Sequence, residues 1–183
     1  STVVEIWPGG GWYTEVLSPY LRAKGSYVAA FPAQSVKGLQ NFKDKLATRP
    51  ELYDKTAIVP LGVPDKLNIR PEGGADFVLT FRNVHNWIKD DLADKFFAAF
   101  YDALKPGGIL ALEQHRANPG PQGPKAPDGY VTEAFVIATA EHVGFKLVAK
   151  SEINANPKDT KDHPFGVWTL PPSLRTSAYG SGK

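Results

Sequence analysis

Short apolar runs rich in β-branched residues alternate along this chain with longer segments of helical period, and few folds accommodate that alternation. TVVEI (2–6), SYVAAF (26–31), TAIVPL (56–61), ADFVLTF (75–81), ILALEQHR (109–116) and KLVAKSEI (146–153) read as strands. Tyr13, Val16, Leu17, Tyr20 and Leu21 fall at helical spacing ahead of Gly25, and Pro19 inside that pattern implies a kink. Further helices are expected over 36–47, over 92–108 with a proline–glycine stop, and over 131–145. The order predicts an α/β chain with a Rossmann-like, doubly wound, mostly parallel sheet of six or seven strands, helices on both faces. Ligands of such sheets bind beyond the carboxyl ends of the strands, near the switch in strand order. The residues to watch are therefore 7–12, 31–35, 82–87 and 113–117.

A chain of 183 residues suits one domain, placed at 1–175, with TSAYGSGK (176–183) as a flexible or appended tail. A formal charge of +2, with no basic tail or stripe, gives no reason to expect nucleic acid. No apolar run approaches the roughly 20 residues of a membrane span. With no Cys, disulfides and thiolate metal sites are excluded. The chain also lacks Met and starts at Ser1, as expected of a mature form, a fragment or an engineered product. A cytoplasmic location and export to the periplasm after loss of a signal peptide are both compatible with it, and oligomeric state is unspecified.

EIWPGGGW (5–12) joins the first strand to the first helix. Glycines there allow positive φ and remove the Cβ that would hold a ligand away from the main chain. The helix that follows offers unpaired N–H groups and the positive end of its dipole. A tight strand–helix turn and a cofactor loop both fit this pattern.

EIWPGGGW, DFVLTFRNVHNW and ALKPGGILALEQHR together resemble the class I S-adenosylmethionine-dependent methyltransferases, over about residues 2–153. More narrowly, WPGGGWYTEVL and SEINANPKDTKDHPFGVWTLPPSLR are similar to a bacterial group of predicted small methyltransferases, many thought to be exported. The resemblance implies methyl transfer from S-adenosylmethionine to an unidentified small-molecule acceptor, with S-adenosylhomocysteine as product. It implies that Glu5 is the acidic residue of the first motif. Gly9 and Gly11 match its second and third glycines, with Gly10 between them, and this loop lines the methionine part of the cofactor. Asn83 matches a polar position facing cofactor or acceptor.

Three departures stand out. Trp7 replaces the first glycine. The second strand ends AAFPAQS, where the family has an acid for the ribose hydroxyls, and Gln34 or Ser35 substitutes with a weaker hydrogen bond. The antiparallel seventh strand is missing or truncated, with VWTL (167–170) as its remaining candidate. Trp7 either fills the core under the loop or faces the cofactor, by stacking on adenine or by a cation–π contact. Trp12 and Tyr13 invite the same two readings.

FRNVHNW (81–87) and LEQHR (112–116) follow the fourth and fifth strands and supply the polar groups for an acceptor. His115 is the favoured base and His85 the second, since imidazole titrates near neutrality. Arg82 or Arg116 would hold an anionic acceptor, beside Trp87. Alternatively each His caps a loop or pairs with a carboxylate. No metal is expected: His85, Glu113, His115 and His163 show no tight ligand spacing. NPKDTKDHPFG (156–166) is a solvated connector or a lid that brings His163 or Phe165 to the acceptor. Two other functions compete. One is a binding protein that keeps the fold without catalysis. The other is a dinucleotide-dependent oxidoreductase, for which the packed glycines and the missing acid are the wrong pattern.

Overall fold

The computed structural model describes residues 1–177. They group into two compact units, one of residues 1–81 with 95–113, the other of residues 82–94 with the chain from 114 on. In chain order the elements are β1 (Thr2–Ile6), α1 (Trp12–Leu21), β2 (Ser26–Pro32), α2 (Val36–Ala47), α3 (Pro50–Tyr53), β3 (Thr56–Leu61) and β4 (Ala75–Phe81). Then follow α4 (Val84–Lys89), α5 (Ala93–Ala103), β5 (Leu104–Glu113), α6 (Glu133–His142) and a 3-10 turn at Gly166–Thr169.

The first unit is a five-stranded, all-parallel sheet in the order β3-β2-β1-β4-β5. β1 is central because Val3, Val4, Glu5 and Ile6 are all buried, the pattern of a strand covered on both faces. Its order reverses at β1, so the loop after β1 lies at the switch point. Val3, Leu21, Tyr27, Ala29, Phe31 and Phe42 form a core cluster, with Phe42 the buried residue of α2. On α5, Phe96, Phe97 and Phe100 are buried, and Phe100 meets both of the others ring to ring. Burying side chains of that size stabilises by about 1.5–3 kcal/mol each.

The second unit is mostly irregular. A single parallel bridge pairs Arg116 with Val131, and Thr132 caps α6 by accepting from the Phe135 N–H at 3.3 Å. Among the described residues no helix is long and apolar enough to cross a membrane.

Several expectations need correction. The sheet has five strands among the described residues, not six or seven. KLVAKSEI (146–153) forms no strand, and Val148 and Ile153 are 84% and 88% exposed, so its β-branched residues lack the packing a strand would give them. VWTL contributes to the 3-10 turn rather than to a seventh strand. The helix expected to end at residue 108 stops at Ala103, because Leu104 pairs with Ala75 and draws the Pro–Gly–Gly segment into β5 through a register shift. No helix was expected directly after the fourth strand, yet α4 begins there at Val84. Most of the tail lies outside the described residues.

Candidate active site

At the end of β1 the Trp7 N–H donates to the Ala30 carbonyl at 2.8 Å, and Trp7 then turns the chain at φ +49°. A left-handed bulky residue is uncommon and marks local strain. Its indole meets Phe96 edge-on at 5.3 Å, the contact of a ring that fills space beneath the loop. The Gly11 N–H closes the turn on the Pro8 carbonyl at 2.9 Å, and Gly11, at φ +76°, is the N-cap of α1. A Cβ on Gly11 would stand 2.9 Å from Cε2 of Phe42, whereas one on Gly9 or Gly10 would meet nothing within 4 Å. Gly9 and Gly10 are exposed, so bare main chain faces open space there. Lys45 steadies the loop: its Nζ donates to the carbonyls of Gly10 at 2.7 Å and Gly11 at 3.3 Å, and pairs with Glu15 at 2.5 Å. Sequence reasoning missed Lys45. Its signal was the three-residue step from Phe42, which puts both on neighbouring positions of one helix face.

Glu5 lies behind this loop. It is 1% exposed and accepts from the Tyr27 hydroxyl and, at 3.4 Å, from Thr14. Thr14 Oγ1 and the Tyr27 hydroxyl are 2.8 Å apart. Burial pushes the Glu5 carboxyl above its ordinary range, against the opposing pull of hydrogen bonds from Tyr27 and Thr14. Tyr27 is driven well above the usual phenol range, by burial first and then by the neighbouring Glu5. The acid of the first motif thus ties β1 to β2 and to the first turn of α1, and positions the loop from beneath.

Beyond β4 and β5, Tyr13 stacks on Phe81 at 3.6 Å and donates to Glu113 at 3.1 Å. After β2 the chain turns sharply, with the Ser35 N–H on the Pro32 carbonyl at 3.0 Å, and leaves Gln34 exposed.

In the second unit Asn83 is the N-cap residue of α4, and exposed Arg82 adopts φ +60°. Trp87, expected beside the acceptor, is fully buried (0% exposed). Its neighbours Val84 and Ile88 explain this, since α4 buries its apolar side. His85 meets Trp168 edge-on at 5.6 Å and Gln114 at 3.4 Å. Burial pushes the His85 imidazole below its usual range, more than the Gln114 contact raises it. His115 lies edge-on to Tyr130 at 6.0 Å, and its carbonyl accepts from Val131 at 2.9 Å.

Arg116 forms a fork with Glu152 at 2.8 and 2.6 Å and reaches Glu133 at 3.3 Å, so an anionic acceptor would compete with carboxylates of this chain. It borders an open depression of about 480 Å³ shared with Asn118, Thr132, Glu133 and Lys161. His163, on the segment read as a solvated connector or a lid, pairs with Asp159 at 2.9 Å, and Asp159 also accepts from Tyr130 at 2.8 Å. That holds segment 156–166 to residue 130 of the same unit.

No protein-family model matches the chain, and no curated protein does. Solved structures do. A SAM-dependent methyltransferase from Aquifex aeolicus matches with a TM-score of 0.61 at 20% identity, over 81% of this chain and 73% of that one. A TehB-like SAM-dependent methyltransferase from Corynebacterium glutamicum matches with a TM-score of 0.52 at 13% identity, over 79% of this chain and 65% of that one. This is the class I S-adenosylmethionine-dependent methyltransferase fold. PKMT2 from Rickettsia typhi, in complex with AdoHcy, matches with a TM-score of 0.50 at 16% identity, over 63% of this chain and 21% of that one. At these identities the likeness speaks to the methyltransferase fold alone, and the chemistry has to be argued from the residues above.

Proposed function

We propose that the chain is an S-adenosylmethionine-dependent methyltransferase acting on a small-molecule acceptor. What supports this reading is the open main chain of Gly9 and Gly10 at the switch point of a parallel sheet. Backbone that no side chain screens suits a charged, amino-acid-like ligand end. Gly9, Gly10 and Gly11 contact the cofactor in this reading. Gln34 stands in for the carboxylate at the end of β2. Glu5 and Trp7 support the loop, and Asn83 keeps the role implied by the resemblance. When bound, the cofactor supplies an electrophilic methyl group on a sulfonium. His115 takes the proton of the acceptor, and Arg82 and Arg116 favour an acceptor with negative charge.

Calorimetric titration tests the reading. S-adenosylmethionine and S-adenosylhomocysteine are expected to bind saturably, with dissociation constants between about 1 μM and 1 mM, and NAD is not. Binding of NAD alone would defeat it. Transfer of a labelled methyl group into a mixture of small metabolites tests turnover. Binding without transfer would favour a non-catalytic binding protein, which the missing carboxylate after β2 makes the second reading.

A further inference from the structure

The side-chain amide of Gln114, the residue after β5, is held at both ends by main chain. Its Oε1 accepts from the Val84 N–H at 3.1 Å, and its Nε2 donates to the Gly129 carbonyl at 2.9 Å. Turning the amide over would set NH2 against N–H and carbonyl against carbonyl, so its orientation is determined by its partners. The second amide proton is left for Nδ1 of His85, 3.4 Å away. An amide NH2 has no lone pair to offer. Nδ1 must therefore be the acceptor, and the proton of the neutral ring sits on Nε2. An imidazolium would oppose one N–H to another across that gap. Burial of the ring, the largest influence, lowers its value in the same direction, as a protonated His115 would, and Asp128 opposes them. An upward pull from Gln114 would need its Oε1 at Nδ1, and that oxygen is held by the Val84 N–H. Trp168, edge-on to the ring, restricts its turning.

We propose that Gln114 is a positioning residue that holds His85 as the Nε2–H tautomer, so that His85 donates a hydrogen bond to the acceptor molecule and does not remove its proton. The ligand assignment rests on the methyltransferase reading, while the hydrogen-bond logic stands apart from it. The acceptors that fit carry a carbonyl, a carboxylate or an unprotonated ring nitrogen. The role of base then falls to His115 alone among these two histidines.

The tautomer can be read without any ligand, by two-bond ¹H–¹⁵N correlation on protein labelled in its 4 histidines, with His85→Gln to assign the signals. At pH about 7.5 the expected spectrum has a pyridine-like Nδ1 and a pyrrole-like Nε2 for His85, with a titration midpoint below about 6.5. Gln114→Glu presents an acceptor to Nδ1, so the tautomer should reverse and the midpoint should rise by about one unit or more. Gln114→Leu removes the donor and should give a mixture of tautomers. A protonated Nδ1 in the wild type, or a spectrum insensitive to both variants, overturns the proposal. Should Gln114→Glu fail to fold, the wild-type spectrum and Gln114→Leu still decide.

In the labelled-methyl assay, His85→Gln keeps an N–H donor and should retain transfer within about tenfold, whereas His85→Phe should lose more than that. Equal loss in both would restore His85 as a base. Absence of S-adenosylmethionine binding beside the expected tautomer would sink the methyltransferase reading and spare the role of Gln114. The wrong tautomer beside intact binding would do the reverse.

Discussion

Gly10→Val should weaken S-adenosylmethionine binding by about tenfold or more without moving the thermal transition, whereas Gly11→Ala should destabilise the fold by about 2–5 kcal/mol. The two residues are neighbours in one loop and differ in what a side chain would meet. Gly10 is exposed, lies outside the left-handed region, and has no atom within 4 Å of its virtual Cβ. The native chain therefore loses nothing when a side chain is added. A ligand contacting that main chain does lose. One charge-assisted hydrogen bond contributes about 1.5–3 kcal/mol, and about 1.4 kcal/mol is already tenfold in affinity.

Gly11 has neither freedom. Its φ of +76° costs an L-residue about 1–2 kcal/mol. Its Cβ would stand 2.9 Å from a ring carbon of Phe42, which is packed in the core cluster and has little room to yield. Overpacking of that kind costs about 1–3 kcal/mol more. Calorimetric titration and differential scanning calorimetry of the two variants separate ligand contact from loop integrity. Unchanged affinity in Gly10→Val would move the cofactor away from this loop and remove the main support for the proposed function.

β1 to β4 were legible in the sequence because their β-branched runs are short and bounded by glycine or proline. What failed was anything decided by a distant partner. The proline–glycine stop of α5 is locally convincing, yet Leu104 enters β5 because Ala75 is there to pair with it. Residues 146–153 have strand composition and no strand partner. α4 spans six residues, too few for a period to show, and the burial of Trp87 on it follows from neighbours that the sequence does not mark.

Gly9 and Gly11 were readable because their positive φ suits glycine, whereas Gly10 stands out only by its place between them. Glu5 was readable as an acid, but its direction was not. β1 is buried on both faces, so alternation carries no information about which way Glu5 points. Its partners Thr14 and Tyr27 are 9 and 22 residues away, and nothing local marks them. The same holds for Gln114, whose three contacts come from α4 and from the loop before α6.

The buried Glu5 makes stability depend on pH in a direction opposite to that of most paired carboxylates. Unfolded, the group titrates near 4.5; folded, it titrates higher because burial outweighs the hydrogen bonds it accepts. Between those two values the folded chain binds the extra proton, so stability falls as pH rises. The stabilisation is complete below about 4.5 and is lost as pH rises through the folded value. Glu5→Gln should remove this slope and leave the protein more stable than the wild type at neutral pH, since a neutral amide can still accept from Tyr27.

Tyr27→Phe should act the other way. It deletes a hydrogen bond that lowers the Glu5 value, so it should cost about 1–3 kcal/mol at pH 7 and extend the slope to higher pH. In a Glu5→Gln background that cost should shrink, because no charge is left unsatisfied. His85 contributes a slope of the opposite sign. Its folded value is depressed, so the stability of its neutral form is present above about 6.5 and is lost as pH falls through the folded value. Subtracting the wild-type curve from that of Glu5→Gln cancels His85, which both proteins share. Urea unfolding across a series from pH 4 to 9 supplies those curves (about ten buffers suffice for a linear extrapolation at each). Parallel curves would mean that Glu5 titrates alike in both states and is not sealed behind the glycine loop. Convergence at low pH with divergence at high pH would place the carboxyl in its dry niche, with Tyr27 as the hydroxyl that makes its charge tolerable.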